Sequence, residues 1–256
     1  MLGACRTLLM TVTLPALVPR PLTPLASHRN HEHTPGKMTN ASGTFNVDYA
    51  AYQARYAAVP ATGNSNLWYS FDHGPAHYTF IDSEESQDAG SPQLTWLAAD
   101  LAAADARRAT TPWLFVAQHR PVFCSTKSEE GDHTPGGRFP RSLEPLLKQY
   151  HVDVVLTGHE HLYERSQAIF NGTVVTAAEG ANNTYASPGA PVYIVAGASG
   201  AFQSGDWIAP QPKWSAFRTF DVYGYGRMRI SGAHRLTYDF VEQTTGKVAD
   251  HWEISK

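Results

Sequence analysis

Short apolar runs separated by polar turns fill the chain from residue 49 to its end. Aromatic and apolar positions from Tyr49 to Tyr56 predict a short helix, closed by a loop over residues 60–66. Strand formers at Leu67 to Asp72 and Ala76 to Asp82 flank Asp72-His73-Gly74-Pro75, the pattern of a β-hairpin. Ser91-Pro92 then predicts a capped helix whose apolar stripe is Leu94, Leu97, Leu101 and Ala104. Trp113 to Ala117 is apolar at every position, as in a strand covered on both faces. Residues 124–140 read as a long polar loop containing Gly136-Gly137, after which Ser142 is the expected cap of a second amphipathic helix carrying Leu143, Leu146, Leu147 and Tyr150. Val154 to Leu156 is a second buried strand, ended by Thr157-Gly158.

Beyond it, Ile169-Phe170 and Thr173 to Val175 around Asn171-Gly172 predict another hairpin. Strand-like runs follow at 192–196, 218–222, 227–230, 236–241 and 251–254. Strand, loop, helix and strand from Trp113 to Leu156 make a βαβ unit, and such units present chemistry just past the carboxyl ends of their strands. Here those positions hold Gln118-His119-Arg120-Pro121 and Gly158-His159-Glu160-His161. In an extended segment, residues two apart share a side, so His159 and His161 are expected to converge on one target. Neutral imidazole is a common ligand for zinc and iron.

Composition changes this picture little. Apolar residues are 42% and charged residues 17% of the chain, and the formal charge of -3 provides no basic field for nucleic acid. No tract approaches the roughly 20 apolar residues of a membrane span. Five of the 12 histidines, His28, His31, His33, His159 and His161, fall in two short clusters, which suggests metal or proton chemistry. Cys5 and Cys124 do not suggest a disulfide framework. Three sequons begin at Asn40, Asn171 and Asn182, and residues 7–18 resemble a short signal core, so a secreted or lumenal glycoprotein is expected. His73 and His133 are further candidates for lining a pocket, and Cys124 is expected in the core.

Five blocks together resemble the purple acid phosphatases, a group of calcineurin-like metallophosphoesterases. They are Asn30-His31-Glu32, Asn66-Leu67-Trp68-Tyr69-Ser70-Phe71-Asp72, Gln118-His119-Arg120-Pro121, Gly158-His159-Glu160-His161-Leu162-Tyr163-Glu164-Arg165 and Tyr223-Gly224-Tyr225-Gly226-Arg227. They stand in the family's order from residue 30 to the carboxyl terminus. The resemblance implies an α/β fold of the α+β kind, a β-sandwich flanked by helices. It also implies a metallophosphoesterase domain over 30–256, with a purple acid phosphatase carboxyl-terminal segment over about 190–256. The implied activity is acid phosphatase, hydrolysing small phosphate monoesters at a dinuclear centre of iron(III) with zinc, manganese or iron(II). Carried over by position, Asn30, His119 and His159 would bind the divalent ion and His161 the iron(III), while His31 would stand near the phosphate and protonate the leaving alkoxide. Two metals about 4 Å apart suit such a reaction because they generate a hydroxide and neutralise phosphate oxygens. The Tyr163-Glu164-Arg165 extension and the Tyr-Gly-x-Gly-Arg block argue against a phosphodiesterase.

The family carries two aspartates and a tyrosine upstream of the asparagine as further ligands, and residues 1–29 contain neither Asp nor Tyr. Residues 1–29 are thus an unmatched segment, and the expectation is an N-terminally truncated sandwich or a gene-model start that omits the upstream part. Four neutral ligands do not offset up to five positive charges. For the chain itself, one divalent ion or none is expected. The competing reading is a non-catalytic remnant that binds one metal ion, phosphate or a partner chain.

Overall fold

The computed structural model describes residues 11–13, 37–40, 43–46, 50–56, 66–128, 130–203 and 205–256. The first elements are β1 (Thr11–Thr13), β2 (Lys37–Asn40), β3 (Gly43–Asn46) and α1 (Ala50–Arg55). Next come β4 (Tyr69–His73), β5 (Ala76–Phe80), α2 (Pro92–Asp105), β6 (Trp113–Ala117), α3 (Glu130–His133), α4 (Arg138–Gln149) and β7 (Val154–Thr157). The rest is strand: β8 (Tyr163–Phe170), β9 (Thr173–Thr176), β10 (Thr184–Ala186), β11 (Val192–Ala196), β12 (Ser215–Thr219), β13 (Gly224–Ser231), β14 (Arg235–Glu242) and β15 (Val248–Ser255).

Two sheets form a sandwich. The larger has eight strands, in the order β12-β8-β11-β7-β6-β5-β4 with β9 paired to β8, and the smaller runs β1-β13-β14-β15-β10. Their facing sides interlock in one core, where Tyr78, Phe115 and Ile194 of the large sheet join Met228, Tyr238, Phe240 and Trp252 of the small one. Helices α2 and α4 cover the other face of the large sheet through Leu97, Leu101, Leu143 and Leu147, packed on Leu114, Val116 and Val155. Being covered on both faces is why β6, β7 and β11 are apolar at nearly every position. The small sheet has one solvated face, and β13 alternates buried and open positions accordingly. This mixed, sheet-dominated α/β sandwich matches the fold class read from the sequence. Among the described residues, no helix is long and apolar enough to cross a membrane.

Parallel pairing of β5, β6, β7 and β11 puts their carboxyl ends on one edge of the large sheet. That edge carries the candidate site. The β4–β5 turn lies at the opposite end, so His73 is remote from it.

Local structure follows the sequence in several places. Ser91 caps α2, its hydroxyl accepting from the Leu94 N–H at 3.2 Å. Gly224 and Gly226 face the core, and a Cβ on Gly226 would stand 1.9 Å from the Tyr238 hydroxyl, so the Tyr-Gly-x-Gly-Arg block makes room for the aromatic rings of β14. Three expectations are corrected. Helix α4 starts at Arg138 with Gly137 as its cap, not at Ser142; a Cβ on Gly137 would stand within 2.9 Å of three carbonyl oxygens, so only glycine fits there. Pro140 then sits in the first turn, where a missing N–H costs nothing. Residues 124–140 are no open loop, since Cys124, Ser125 and Thr126 are buried and α3 follows. Strand β12 precedes the expected 218–222, its start fixed by the Ser215 hydroxyl donating to Glu164 at 2.6 Å.

Candidate metal-binding site

His119 lies two residues past β6 and His159 two residues past β7. The two segments stay paired beyond their strands: the Gln118 N–H donates to the Leu156 carbonyl at 3.1 Å, and the Gly158 N–H donates to the His119 carbonyl at 2.9 Å. The segment after β7 is not extended, contrary to expectation. His159 has φ of 64°, the left-handed region that non-glycine residues avoid, and tight bonds from Glu160 N–H to Gly158 O and from Leu162 N–H to Glu160 O curl it. Gly158 does not take the unusual angle. Strain at His159 turns its ring back toward the neighbouring strand end, where Nδ1 stands 3.2 Å from His119 Nε2. The rings meet edge-on, with centroids 4.9 Å apart and planes at 81°.

The 3.2 Å separation tests the fit of a metal. Two nitrogens each about 2.0–2.1 Å from one ion stand roughly 3.0–3.4 Å apart at ordinary ligand angles. His119 Nε2 and His159 Nδ1, here hydrogen-bonded to each other, thus also stand at the spacing that two ligands of a single divalent cation would take. Among the described residues there is no group of three or more His, Cys, Asp or Glu side chains that could hold a metal. The described residues thus match half of a tetrahedral shell and do not match a dinuclear one.

His161, half-buried, donates from Nδ1 to the Phe202 carbonyl at 2.9 Å, which leaves Nε2 as the ring nitrogen with an acceptor lone pair. The Phe202 ring lies edge-on to it at 5.1 Å and is 76% exposed. Asn30 and His31, like His28, Glu32 and His33, lie outside the described residues.

Sequence reasoning undervalued His133. It is fully buried, donates from Nδ1 to the Pro121 carbonyl at 2.8 Å, stacks on Phe139, and has its ring centroid 6.4 Å from that of His159. A loop histidine is ordinarily solvated, and the local signal beside this one is the Gly136-Gly137 turn, where Gly136 takes a positive φ of 80° and Gly137 packs against the carbonyls of residues 131, 132 and 134. Support reaches His133 from the β8–β9 hairpin, whose tip at Gly172 touches Pro135. The Asn171 N–H at that tip donates to Glu144 of α4 at 3.0 Å. Burial pushes the Glu144 carboxyl up to about 7, against a smaller opposing pull from that N–H. Since its ordinary value is 4.5, the folded state holds the proton longer than the unfolded state, and stability falls as pH rises from about 4.5 to about 7. Glu144→Gln is expected to raise stability by on the order of 1–2 kcal/mol at neutral pH and to leave it unchanged near pH 4, read from urea midpoints at both pH values.

Buried polar residues of the segment after β5, Asp82, Ser83, Gln87 and Gln93, stand beside the His119 segment. Arg120 donates from its backbone N–H to Ser83 Oγ at 3.2 Å and from Nε to Glu84 Oε1 at 2.8 Å. Gln118 Nε2 donates to the Arg120 carbonyl at 2.8 Å. Glu164 and Arg165 of the histidine block serve the fold. Glu164 accepts from Ser125 N–H and the Ser215 hydroxyl, and Arg165 reaches across the sandwich to Asp250.

A sandwich with histidines converging at the carboxyl ends of adjacent parallel strands has the layout of a metal-dependent phosphoesterase. Comparison with known proteins makes this specific. The family described as calcineurin-like phosphoesterase matches residues 29–163, more than half of the chain, and that described as iron/zinc purple acid phosphatase-like protein C matches residues 190–251. Acid phosphatase type 7 of Danio rerio is 33% identical over 231 residues, covering 82% of this chain and 51% of that protein. A probable inactive purple acid phosphatase 1 of Arabidopsis thaliana is 34% identical over 203 residues, covering 77% and 32%. The structure of purple acid phosphatase PPD1 from yellow lupin (Lupinus luteus) seeds superposes with a TM-score of 0.76 at 26% identity, covering 90% of this chain and 40% of that one. The chain belongs to the calcineurin-like phosphoesterases, in their purple acid phosphatase branch. It spans about half the length of the acid phosphatase type 7 proteins it matches.

Proposed function

We propose that the protein is a metal-dependent phosphomonoesterase of the acid phosphatase kind, acting on small phosphate monoesters. The observation that carries this reading is the 3.2 Å approach of His119 Nε2 and His159 Nδ1, the spacing of two ligands on one ion. These two nitrogens would hold the divalent ion, with Asn30 as the further ligand that the resemblance implies. By the same resemblance His161 would offer Nε2 to the iron(III) of a dinuclear centre, its ring oriented by the bond from Nδ1 to the Phe202 carbonyl. When bound, such a centre neutralises phosphate oxygens and activates water. His31 then protonates the leaving alkoxide, a role that also comes from the resemblance. His133, held as the Nδ1–H tautomer by Pro121, keeps the wall beside His159 polar. Secretion is part of the same reading, supported by sequons whose Asn171 and Asn182 are exposed at turns.

A second reading is favoured by the ligand count. With two fitting ligands, and no group of three or more His, Cys, Asp or Glu side chains that could hold a metal among the described residues, the chain would bind one divalent ion without turnover. Elemental analysis of the purified 256-residue chain, with 4-nitrophenyl phosphate hydrolysis followed at about pH 5, separates the two. Bound metal with turnover, both lost in His159→Ala, is the expected result. Metal without turnover overturns the enzymatic reading in favour of the second, and no metal in the wild-type chain overturns both.

A further inference from the structure

We propose that Gln87, acting through Gln118, is a positioning residue that sets the aim of the His119 imidazole. The inference rests on the reading of His119 and His159 as a ligand pair. His119 sits on a loop, and a loop side chain keeps an edge-on contact with a partner ring only if its backbone is braced. Gln118 supplies one brace, because its Nε2 donates to the Arg120 carbonyl and so spans His119 like a staple. The other end of that amide, Oε1, accepts from Gln87 Nε2 at 2.9 Å. Gln87 Nε2 also donates to the Asp82 carbonyl at 3.2 Å, and Asp82 is fixed in turn by Gln93 of α2, which accepts from its N–H at 2.7 Å and donates to its carbonyl at 2.9 Å. A line of amides thus runs from helix α2 to the residues on both sides of His119. Gln87, Gln93 and Gln118 are each at most 2% exposed.

One atom in this line is out of place for a core built only for stability. Gln87 Oε1 is buried and has no hydrogen-bond partner among the described residues. An unsatisfied buried acceptor costs free energy, and a leucine or methionine of similar size would avoid that cost. What the amide supplies, and an apolar residue does not, is the Nε2 donor that orients Gln118. Local breaches of the packing rules are expected where a site needs them. Outer partners that orient a ligating histidine are part of a metal site, and their loss typically weakens metal binding about 10–100-fold.

The test uses the double variant Gln87→Leu/Gln118→Met in the full chain. It removes both partners of the buried amide bond together with the Gln118 bond to the Arg120 carbonyl, so Gln87→Met, which leaves that second bond in place, is measured beside it and decides the part played by Gln87. Zinc affinity is measured by calorimetry, the fold by thermal unfolding, and the contact between the His119 and His159 rings by side-chain NMR without metal. The expected result is a thermal midpoint near that of the wild type, a zinc dissociation constant raised about 10-fold, and a weakened ring-to-ring contact. Unchanged affinity and unchanged ring contact in the folded variant overturn the proposal. If the wild-type chain binds no zinc, the metal reading fails by itself, and the ring contact alone still decides whether Gln87 positions His119. Should the double variant not fold, the near-isosteric Gln87→Met is read in the same three ways.

Discussion

Asp250→Ala is expected to destabilise the sandwich by about 3–5 kcal/mol, enough to unfold many domains of this size at moderate temperature. Asp250 of β15 lies inside the interface between the sheets and accepts three hydrogen bonds from the facing layer. Arg165 of β8 binds it with Nε at 2.8 Å and Nη2 at 2.9 Å, and the Tyr163 hydroxyl donates to it at 2.8 Å. The third arm of the guanidinium, Nη1, donates to the Tyr185 hydroxyl at 2.6 Å, and that hydroxyl donates to the Ser166 carbonyl at 2.8 Å. Both charged side chains are about 3% exposed. Burial alone would lower the Arg165 pKa, but the bonds and charge of Asp250 outweigh it and hold the guanidinium protonated. Removing the carboxylate therefore leaves a full positive charge in the core. Denaturant unfolding of Asp250→Ala against Arg165→Met/Asp250→Leu distinguishes the cause: the double variant, with no stranded charge, should recover much of the loss. If the single variant is as stable as the wild type, the network does not hold the sheets together.

This network clarifies what the sequence blocks were doing. His119 and His159 in those blocks meet at one edge of the large sheet, whereas Tyr163, Glu164 and Arg165 tie layers together and Gly224 and Gly226 leave space for Tyr238 and Phe240. Residues that read as one motif have two separate jobs. A motif's survival in a chain thus testifies to the fold as much as to the activity.

The elements most legible in the sequence are those whose burial is uniform. Trp113 to Ala117 and Val154 to Leu156 are covered on both faces, so hydrophobicity alone marks them. Ser91-Pro92 is legible because a cap is a local event between residues three apart. The start of α4 is not, because the reason for Gly137 lies in carbonyls of residues 131, 132 and 134 that crowd it only after the chain folds back. His133 and the left-handed backbone of His159 escape for the same reason: each depends on a tertiary partner. Gln87 is the extreme case, a polar residue in an irregular segment whose partner, Gln118, is 31 positions away.

Stability is also expected to depend on pH through His77, which lies far from the candidate site. His77 is buried on β5 with a carboxylate at each ring nitrogen: Asp72 of β4 at 2.6 Å from Nδ1 and Asp100 of α2 at 3.0 Å from Nε2. Ser70 and Thr79 donate to Asp100 at 2.6 and 2.7 Å, and Arg107 pairs with Asp72 at 2.9 Å. The cluster fastens helix α2 to the edge hairpin of the large sheet. Burial alone would depress the imidazole, yet the bonds and charges of Asp100 and Asp72 outweigh it and raise His77 above its ordinary 6.5. For Asp100, burial would raise the carboxyl, and the bonds from His77 and Ser70 with the His77 charge hold it below its ordinary 3.8. A raised histidine stabilises fully below 6.5 and loses that contribution as pH climbs through its folded value; a lowered aspartate stabilises above 3.8 and loses it as pH falls through its own. The cluster therefore contributes most in the window between these two values, on the acidic side of neutrality. His77→Leu should cost about 2–3 kcal/mol at pH 5 and distinctly less at pH 9, since above its folded value the wild-type imidazole has already lost its charge. Urea midpoints of both proteins at the two pH values check this, and a penalty independent of pH would mean that His77 acts by packing and not by charge.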